Sequence, residues 1–282
     1  ISIIKLIESF FQKIDSLVLL KKKKKINFQS LDNKITIIFA VILISIISYF
    51  LIPTFYDKDL VKNILKNQIQ EKFNLEVKLD ENINYGIFPK PHFNIKDTSI
   101  ILDGKDVAKS KDFKVFISIK NFHSIENLIV KNLLFKKTEF NINYKDIKLF
   151  DKILNYNKTQ NHIKFKNSIL FFKSKNDDVI FFTDIDNLNF FYNEDLIHQL
   201  NANFDIFNIP FNLILENNNN IKKMFTNLNS HRIRLGIQND FDYKDKKING
   251  ILNFEIINDS KLFNYTVNQK NLNFNSEDNN FK

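Results

Sequence analysis

Three kinds of hydrophobic pattern follow one another along the chain. In residues 1–20, Ile3, Ile7, Phe10, Ile14 and Leu17 recur every three to four positions, which predicts an amphipathic helix. Lys5, Glu8, Lys13 and Asp15 interrupt it, so it is not expected to span a membrane. Residues 35–53 read ITIIFAVILISIISYFLIP and carry no charge. As a helix this stretch would reach about 28 Å, close to a bilayer's hydrocarbon core. Helical spacing returns in 57–73, where Leu60, Ile64, Leu65, Ile69 and Phe73 share a face. Asp57 or Asp59 is placed to cap that helix, and Asn74 suits a left-handed stop. This helix is expected to cover the open end of whatever follows.

From about residue 75 the period falls to two. Phe113, Val115, Ile117 and Ile119 alternate with Lys114, Phe116, Ser118 and Lys120. Ile163 and Phe165 alternate with lysines, and Leu188, Phe190 and Tyr192 with Asn189 and Phe191. Leu200, Ala202, Phe204 and Ile206 form a further run, as do Ile209, Phe211, Leu213 and Leu215, and Leu252, Phe254 and Ile256. Each reads as a half-buried strand. Breaks fall at Asp103-Gly104, Asn155–Asn161, Asn176–Asp178, Asn193–Asp195 and Asn217–Asn220. Strands every ten to fifteen residues, with no second helix-rich block, predict an antiparallel meander rather than βαβ units. The apolar face of that sheet is rich in Phe, Leu and Ile, and no partner helix is evident to cover it. Such a sheet must fold over itself, close, or keep an apolar channel.

Charge refines the picture. The net charge is +9, but five of the cations form one run, Lys21–Lys25, beside the hydrophobic segment. With the amphipathic helix, that run fits either adhesion to an anionic leaflet or a leader whose lysines only set topology. Beyond the apolar stretch, Lys58 and Lys62 are mixed with Asp57 and Asp59. The positive-inside bias therefore places residues 1–34 in the cytoplasm and everything after Pro53 outside it. Tyr49 and Tyr56 are placed to anchor the far interface. A cleaved signal peptide fits poorly, because the basic region and apolar core are too long and no small-residue cleavage site follows.

Chemistry is hard to find. The chain has no cysteine, which excludes disulfides, thiolate nucleophiles and zinc ribbons. The four glycines are isolated, so no phosphate loop can be built, and no Gly-x-Ser-x-Gly elbow exists. The five histidines are scattered without metal-ligand spacing. Arg occurs only at positions 232 and 234, which argues against nucleic-acid reading. The acidic pairs Asp177-Asp178 and Glu194-Asp195 sit in turn signals, where solvated charge is the simpler reading. Neither an enzyme nor a cofactor is expected.

Several motifs resemble the N-terminal region of AsmA-like proteins. They are the anchor and short helix, then Phe73-Asn74-Leu75-Glu76-Val77, then the corner Tyr85-Gly86-Ile87-Phe88-Pro89-Lys90-Pro91. Strands of the matching type follow at His92–Leu102, Val107–Ile119, Asn127–Phe135 and Thr138–Tyr144, with a link at Ser124-Ile125. Ile163–Phe172, Val179–Tyr192 and Asn201–Leu215 continue the order. Lys90 and Pro91 depart from the family pattern, and glycines are sparse. The family's long C-terminal portion has no counterpart, and the chain does not open on Met; both are compatible with a fragment. The resemblance implies a bacterial inner-membrane protein of the bridge-like lipid-transfer type, with a long, taco-like, repeating β-groove in the periplasm. Acyl chains of membrane phospholipids would lie in that groove.

The expected organisation is mainly β. A cytoplasmic amphipathic and basic segment (1–34) leads into a transmembrane helix (35–53) and a capping helix (54–74). An elongated antiparallel β-groove domain (75–282) follows. The expected lipid-facing stripe is Phe113, Val115, Ile117, Ile163, Phe165, Leu188, Phe190, Leu200, Phe204, Phe211 and Leu213. The alternative is an envelope scaffold for outer-membrane protein biogenesis, with envelope proteins as partners that pair at exposed sheet edges. The sequence names no oligomeric state.

Overall fold

The computed structural model describes residues 33–120, 122–150, 153, 160–192, 197–244, 247–257, 259–268 and 271–276. The expected helix over 1–20, the run Lys21–Lys25, the turn at Asn193–Asp195 and most of that at Asn155–Asn161 lie outside them. The chain divides between Ser48 and Tyr49 into two units.

The uncharged stretch forms helix α1 (Asn33–Leu51). The window Thr36–Phe55 is long and apolar enough to cross a membrane, and only 6% of it is buried within the protein. Its Ser45 hydroxyl donates to the Val41 carbonyl at 2.8 Å, so the side chain is satisfied within the helix. Helix α2 (Lys58–Phe73) has the expected caps. The Asp57 carboxylate accepts from the Leu60 N–H, and Asn74 stops the helix in the left-handed region at φ 48°. Its buried face is Val61, Leu65, Ile69 and Phe73. Leu60, expected on that face, is 52% exposed, because the i, i+4 series from Val61 is the one aimed at the sheet.

Fourteen strands then form one sheet. They are β1 (Glu76–Lys78), β2 (Ile83–Gly86), β3 (His92–Leu102), β4 (Lys105–Ile117), β5 (Val130–Asn143), β6 (Ile163–Lys173) and β7 (Val179–Tyr192). The rest are β8 (His198–Ile206), β9 (Ile209–Asn218), β10 (Lys223–Ser230), β11 (Leu235–Lys244), β12 (Lys247–Ile256), β13 (Asp259–Asn268) and β14 (Asn271–Ser276). Neighbours run β1, β3, β4 and onward in chain order to β14, with β2 paired beside β3. The meander is therefore as expected except at one joint: β5 and β6 are parallel. A parallel pair cannot be closed by a tight turn, so the chain crosses back through residues 144–162.

Turn chemistry explains most hairpins. Asp103-Gly104 closes β3 to β4 with φ of 51° and 78°. Phe207 and Asn208, both at positive φ, close β8 to β9, a turn with no Gly or Pro signal of its own. The expected break at Asn217–Asn220 is shifted, since Asn217 and Asn218 still belong to β9. The two segments expected at Asn127–Phe135 and Thr138–Tyr144 form the single strand β5, kinked at Lys137 with φ 52°. Asp97 on β3 and Asn167 on β6 share that conformation. Pairing skips all three positions, so a line of kinks crosses the sheet from β3 to β6. Small hydroxyls fill its buried side at Thr98, Ser110, Thr138 and Ser168.

Candidate functional site

Register places the apolar side chains in continuous rows. One row runs Phe93, Val115, Leu133, Ile163, Phe190, Leu200, Leu215, Thr226, Asn239, Leu252, Phe263. Beside it runs Ile95, Phe113, Phe135, Phe165, Leu188, Ala202, Leu213, Leu228, Ile237, Phe254. Cross-strand neighbours on one face are the unit of sheet packing, so each row is a strip of contact laid across the strands. Lys114, Leu134, Lys164, Asn189, Asn201, Ile214 and Asn227 form the matching row on the other face.

The rows pass through two regimes. From β3 to β8 these two rows are sealed. Phe113, Phe135 and Phe165 stack with ring centroids 4.1 and 4.9 Å apart, and all three are fully buried. Two elements cover this part of the sheet: a helix expected to cap its open end, and a crossover that was not expected. One is α2, which packs against β1, β5 and the 3₁₀ turn at Ile125–Asn127. It is fastened by Gln68, whose amide accepts from the Val130 N–H at 2.8 Å and donates to the Leu128 carbonyl. The other is the β5–β6 crossover, where Leu149 and Ile153 are buried and the Phe150 ring lies 5.8 Å from Phe140 and 6.2 Å from Phe190. Asp146 pins that crossover by accepting from Lys105 at 3.2 Å and from the Asn143 N–H at 3.1 Å.

From β9 to β13 the same face is half-buried. Phe211, Leu213, Leu215, Leu228, Ile237, Leu252, Phe254 and Phe263 are all of intermediate exposure. Among the described residues no helix follows residue 153 to cover them. Phe204 and Phe211 stack at 5.9 Å on the boundary between the two regimes.

The expected stripe therefore splits. Phe113, Val115, Ile117, Ile163, Phe165, Leu188, Phe190 and Leu200 belong to the sealed core. Phe204, Phe211 and Leu213 lie on the half-buried stretch. All eleven do share one face of one sheet. Sequence reading missed Leu228, Ile237 and Phe263 on this face. Their strands alternate with Asn, Gln and Asp, and Thr226 and Asn239 break the apolar set, so the period-two signal is diluted.

Polar groups on the half-buried stretch are tied to one another. The Tyr265 hydroxyl donates to Asn239 Oδ1 at 2.8 Å, reaching across β12 at Gly250. A Cβ on Gly250 would sit 2.5 Å from the Tyr265 ring, so glycine is what lets the ring lie there. The Tyr243 hydroxyl donates to Asn217 Oδ1 at 2.7 Å. Burial pushes the Tyr243 phenol up, against the opposing effect of that hydrogen bond, and it stays a neutral donor.

Tyr49 and Tyr56, expected as interface anchors, bond to the β4–β5 loop. The Tyr49 hydroxyl donates to the Ile119 carbonyl at 2.9 Å and accepts from the Phe122 N–H at 3.2 Å. Tyr56 donates to the Phe122 carbonyl. Burial pushes the nearby Tyr85 phenol up to about 12, with Tyr56 adding to the effect. At the β2–β3 corner, His92 is 4% exposed, with Nδ1 2.8 Å from the Lys90 carbonyl and Nε2 3.1 Å from the Lys114 ammonium. Nδ1–H therefore donates to Lys90, and Nε2 accepts from Lys114.

Among the described residues no group of three or more His, Asp or Glu is placed to hold a metal ion. No protein-family model, curated protein or solved structure matches the chain.

Proposed function

We propose that this protein is a membrane-anchored lipid-binding protein whose half-buried face, from Phe204 on β8 to Phe263 on β13, receives phospholipid acyl chains. The observation that carries this reading is the continuity of the apolar rows. The side chains that make a sealed core under α2 continue past it at the same register, apolar except at Thr226 and Asn239, without a described cover. An acyl chain laid along them leaves water, a gain of about 0.8 kcal/mol per methylene. No bond need be made or broken, so the activity is binding and transfer rather than catalysis. The tied amide and phenol groups at Asn239, Tyr265, Asn217 and Tyr243 give a headgroup polar neighbours beside the apolar rows.

In this proposal α1 crosses the bacterial inner membrane, residues 1–34 face the cytoplasm, and the sheet lies in the periplasm as a groove. The resemblance to AsmA-like proteins supports a role in phospholipid transport or outer-membrane homeostasis. The test is photo-crosslinking of the full chain in a bacterial envelope, with a photoreactive residue replacing Phe211, Leu228 or, on the opposite face, Asn212. Phospholipid adducts are expected from the first two and not from Asn212. Equal yield from all three, or none from Phe211 and Leu228, would sink the proposal. Phe204→Asp with Phe211→Asp is expected to abolish the adduct at Leu228. One observation favours the scaffold reading instead: β14 ends the path of neighbours and pairs on one side only among the described residues. Protein adducts in place of lipid would select it.

A further inference from the structure

Four turns meet along one edge of the sheet: those joining β6 to β7, β8 to β9, β10 to β11, and β12 to β13. Their contiguity is fixed by contacts. The Phe181 ring lies 6.4 Å from that of Phe207 in the second turn. Arg232 in the third donates to the Asn208 carbonyl in the second at 2.7 Å. The Ile257 N–H in the fourth donates to the Arg234 carbonyl at 3.0 Å.

The tips of these turns carry the wrong residues for a surface that meets only water. Phe207 is 81% exposed and Ile257 61%, and both hold positive φ, of 51° and 49°. Asn or Gly suits such a position, and a β-branched residue there is an outlier. Ile180 is 65% exposed beside the first turn, and Ile233 projects between Arg232 and Arg234. These are the chain's two arginines, and their turn, Ser230–Leu235, contains no acidic residue. Lys173 and Lys175 flank the first turn. Asp177, Asp178 and Asp259 oppose them there and at the start of β13, Asp205 lies beside the second turn and Glu255 beside Gly236, so the cations stand clear of acids only within the arginine turn itself. Arg232 commits one N–H to Asn208, which fixes its position and leaves donors for a phosphate.

Apolar tips beside a turn that carries two arginines fit one partner, the headgroup layer of an anionic phospholipid membrane: the tips enter among the acyl chains and the guanidinium groups meet the phosphates. We propose that this turn edge docks on such a surface. The docking goes beyond the lipid-binding reading and rests on different residues, and vesicle capture can be scored without any lipid being extracted.

The experiment uses the full chain inserted by its own helix into phosphatidylcholine vesicles. These are mixed with labelled acceptor vesicles of phosphatidylcholine alone, or of equimolar phosphatidylcholine and phosphatidylglycerol, and co-flotation is measured. Capture of the mixed acceptors is expected to exceed capture of the neutral ones by about tenfold. Phe207→Asn with Ile257→Asn is expected to lower capture by about tenfold, while its thermal unfolding stays at or above that of the starting protein, because asparagine accepts the left-handed backbone. Arg232→Gln with Arg234→Gln is expected to bring the mixed acceptors down to the neutral level. Equal capture of both acceptors by the unaltered chain, or unchanged capture by the folded asparagine variant, overturns the proposal.

Discussion

The first eight strands and the next five offer the same apolar face in two conditions. Under α2 and the crossover, Phe113, Phe135 and Phe165 are stacked and shut from solvent. Further along the same row, Leu213, Leu228, Ile237 and Phe254 remain half-exposed. Alternation and register are alike in both, so the difference comes from what lies on top. A period of two specifies a face; it takes a second layer to decide whether that face becomes a core or a surface.

The comparison breaks most sharply by truncation. Phe135→Ala is expected to cost about 3–5 kcal/mol, because its site is walled by Phe113, Phe165 and the cover and cannot collapse. Phe211→Ala should cost about 1 kcal/mol, since part of that ring is already in water. Urea unfolding of the full chain in detergent measures both. Comparable losses would mean that the far stretch is as sealed as the near one.

Gly250→Ala should cost about 1–3 kcal/mol and displace Tyr265 from Asn239, since the new Cβ lies 2.5 Å from the ring. Tyrosine fluorescence with the same unfolding curve would show it. An unchanged curve would mean that the ring moves aside freely.

Within the sealed region the kink line offers a finer contrast. The Ser110 hydroxyl lies 3.2 Å from the Asp112 carbonyl and 3.0 Å from that of Lys136, while Thr138 Oγ1 is buried with no partner among the described residues. Ser110→Ala should destabilise by about 1 kcal/mol, whereas Thr138→Val should be neutral or stabilising by up to about 1 kcal/mol. A Thr138→Val variant as weakened as Ser110→Ala would show that the hydroxyl has a partner in solution.

The smallest effect is one of pH. Burial first, and then the Lys114 and Lys136 charges, hold His92 below its ordinary value, against the Lys90 carbonyl and the Asp112 carboxylate. The folded state therefore takes up the proton less readily than the unfolded chain. Its full contribution is present above about pH 6.5 and is lost as pH falls below that, until the folded value is reached. The unfolding midpoint should drop as pH falls below about 6.5, and His92→Gln should flatten that drop. An equal drop in the variant would assign it elsewhere.

Much of the architecture was legible in the residues. The uncharged stretch marks α1, Asp57 and Asn74 bracket α2, and the runs in β4, β8 and β9 read directly as strands, while His92–Leu102 and Val179–Tyr192 came through the resemblance. What escaped has physical causes. β10, β11 and β13 alternate too, but their apolar positions are interrupted by Thr226, Asn239 and Lys261. The Phe207-Asn208 turn is hidden because Phe is a strand residue by propensity. The parallel joint was invisible because strand direction depends on the path of the connection. Of the face, the membership of all eleven expected residues was legible. A capping helix was legible too, but the extent of the cover over eight of them was not, since it is completed by tertiary contacts of Leu149, Phe150 and Ile153.

The parallel joint of β5 and β6 also bears on the order in which the sheet can be made. At nearly every other joint a strand is laid against the one just completed, through a short hairpin. Contacts of that kind are local, and their closure costs little chain entropy. At β6 the chain must first travel back along β5 through residues 144–162 before a single rung can form. A chain that emerges from synthesis N-terminus first would therefore meet its slowest closure once β1 to β5 are made. Strands β6 to β13 could then add hairpin by hairpin onto the seed left behind, so the length of the sheet could grow over evolution by whole hairpins without disturbing what precedes them.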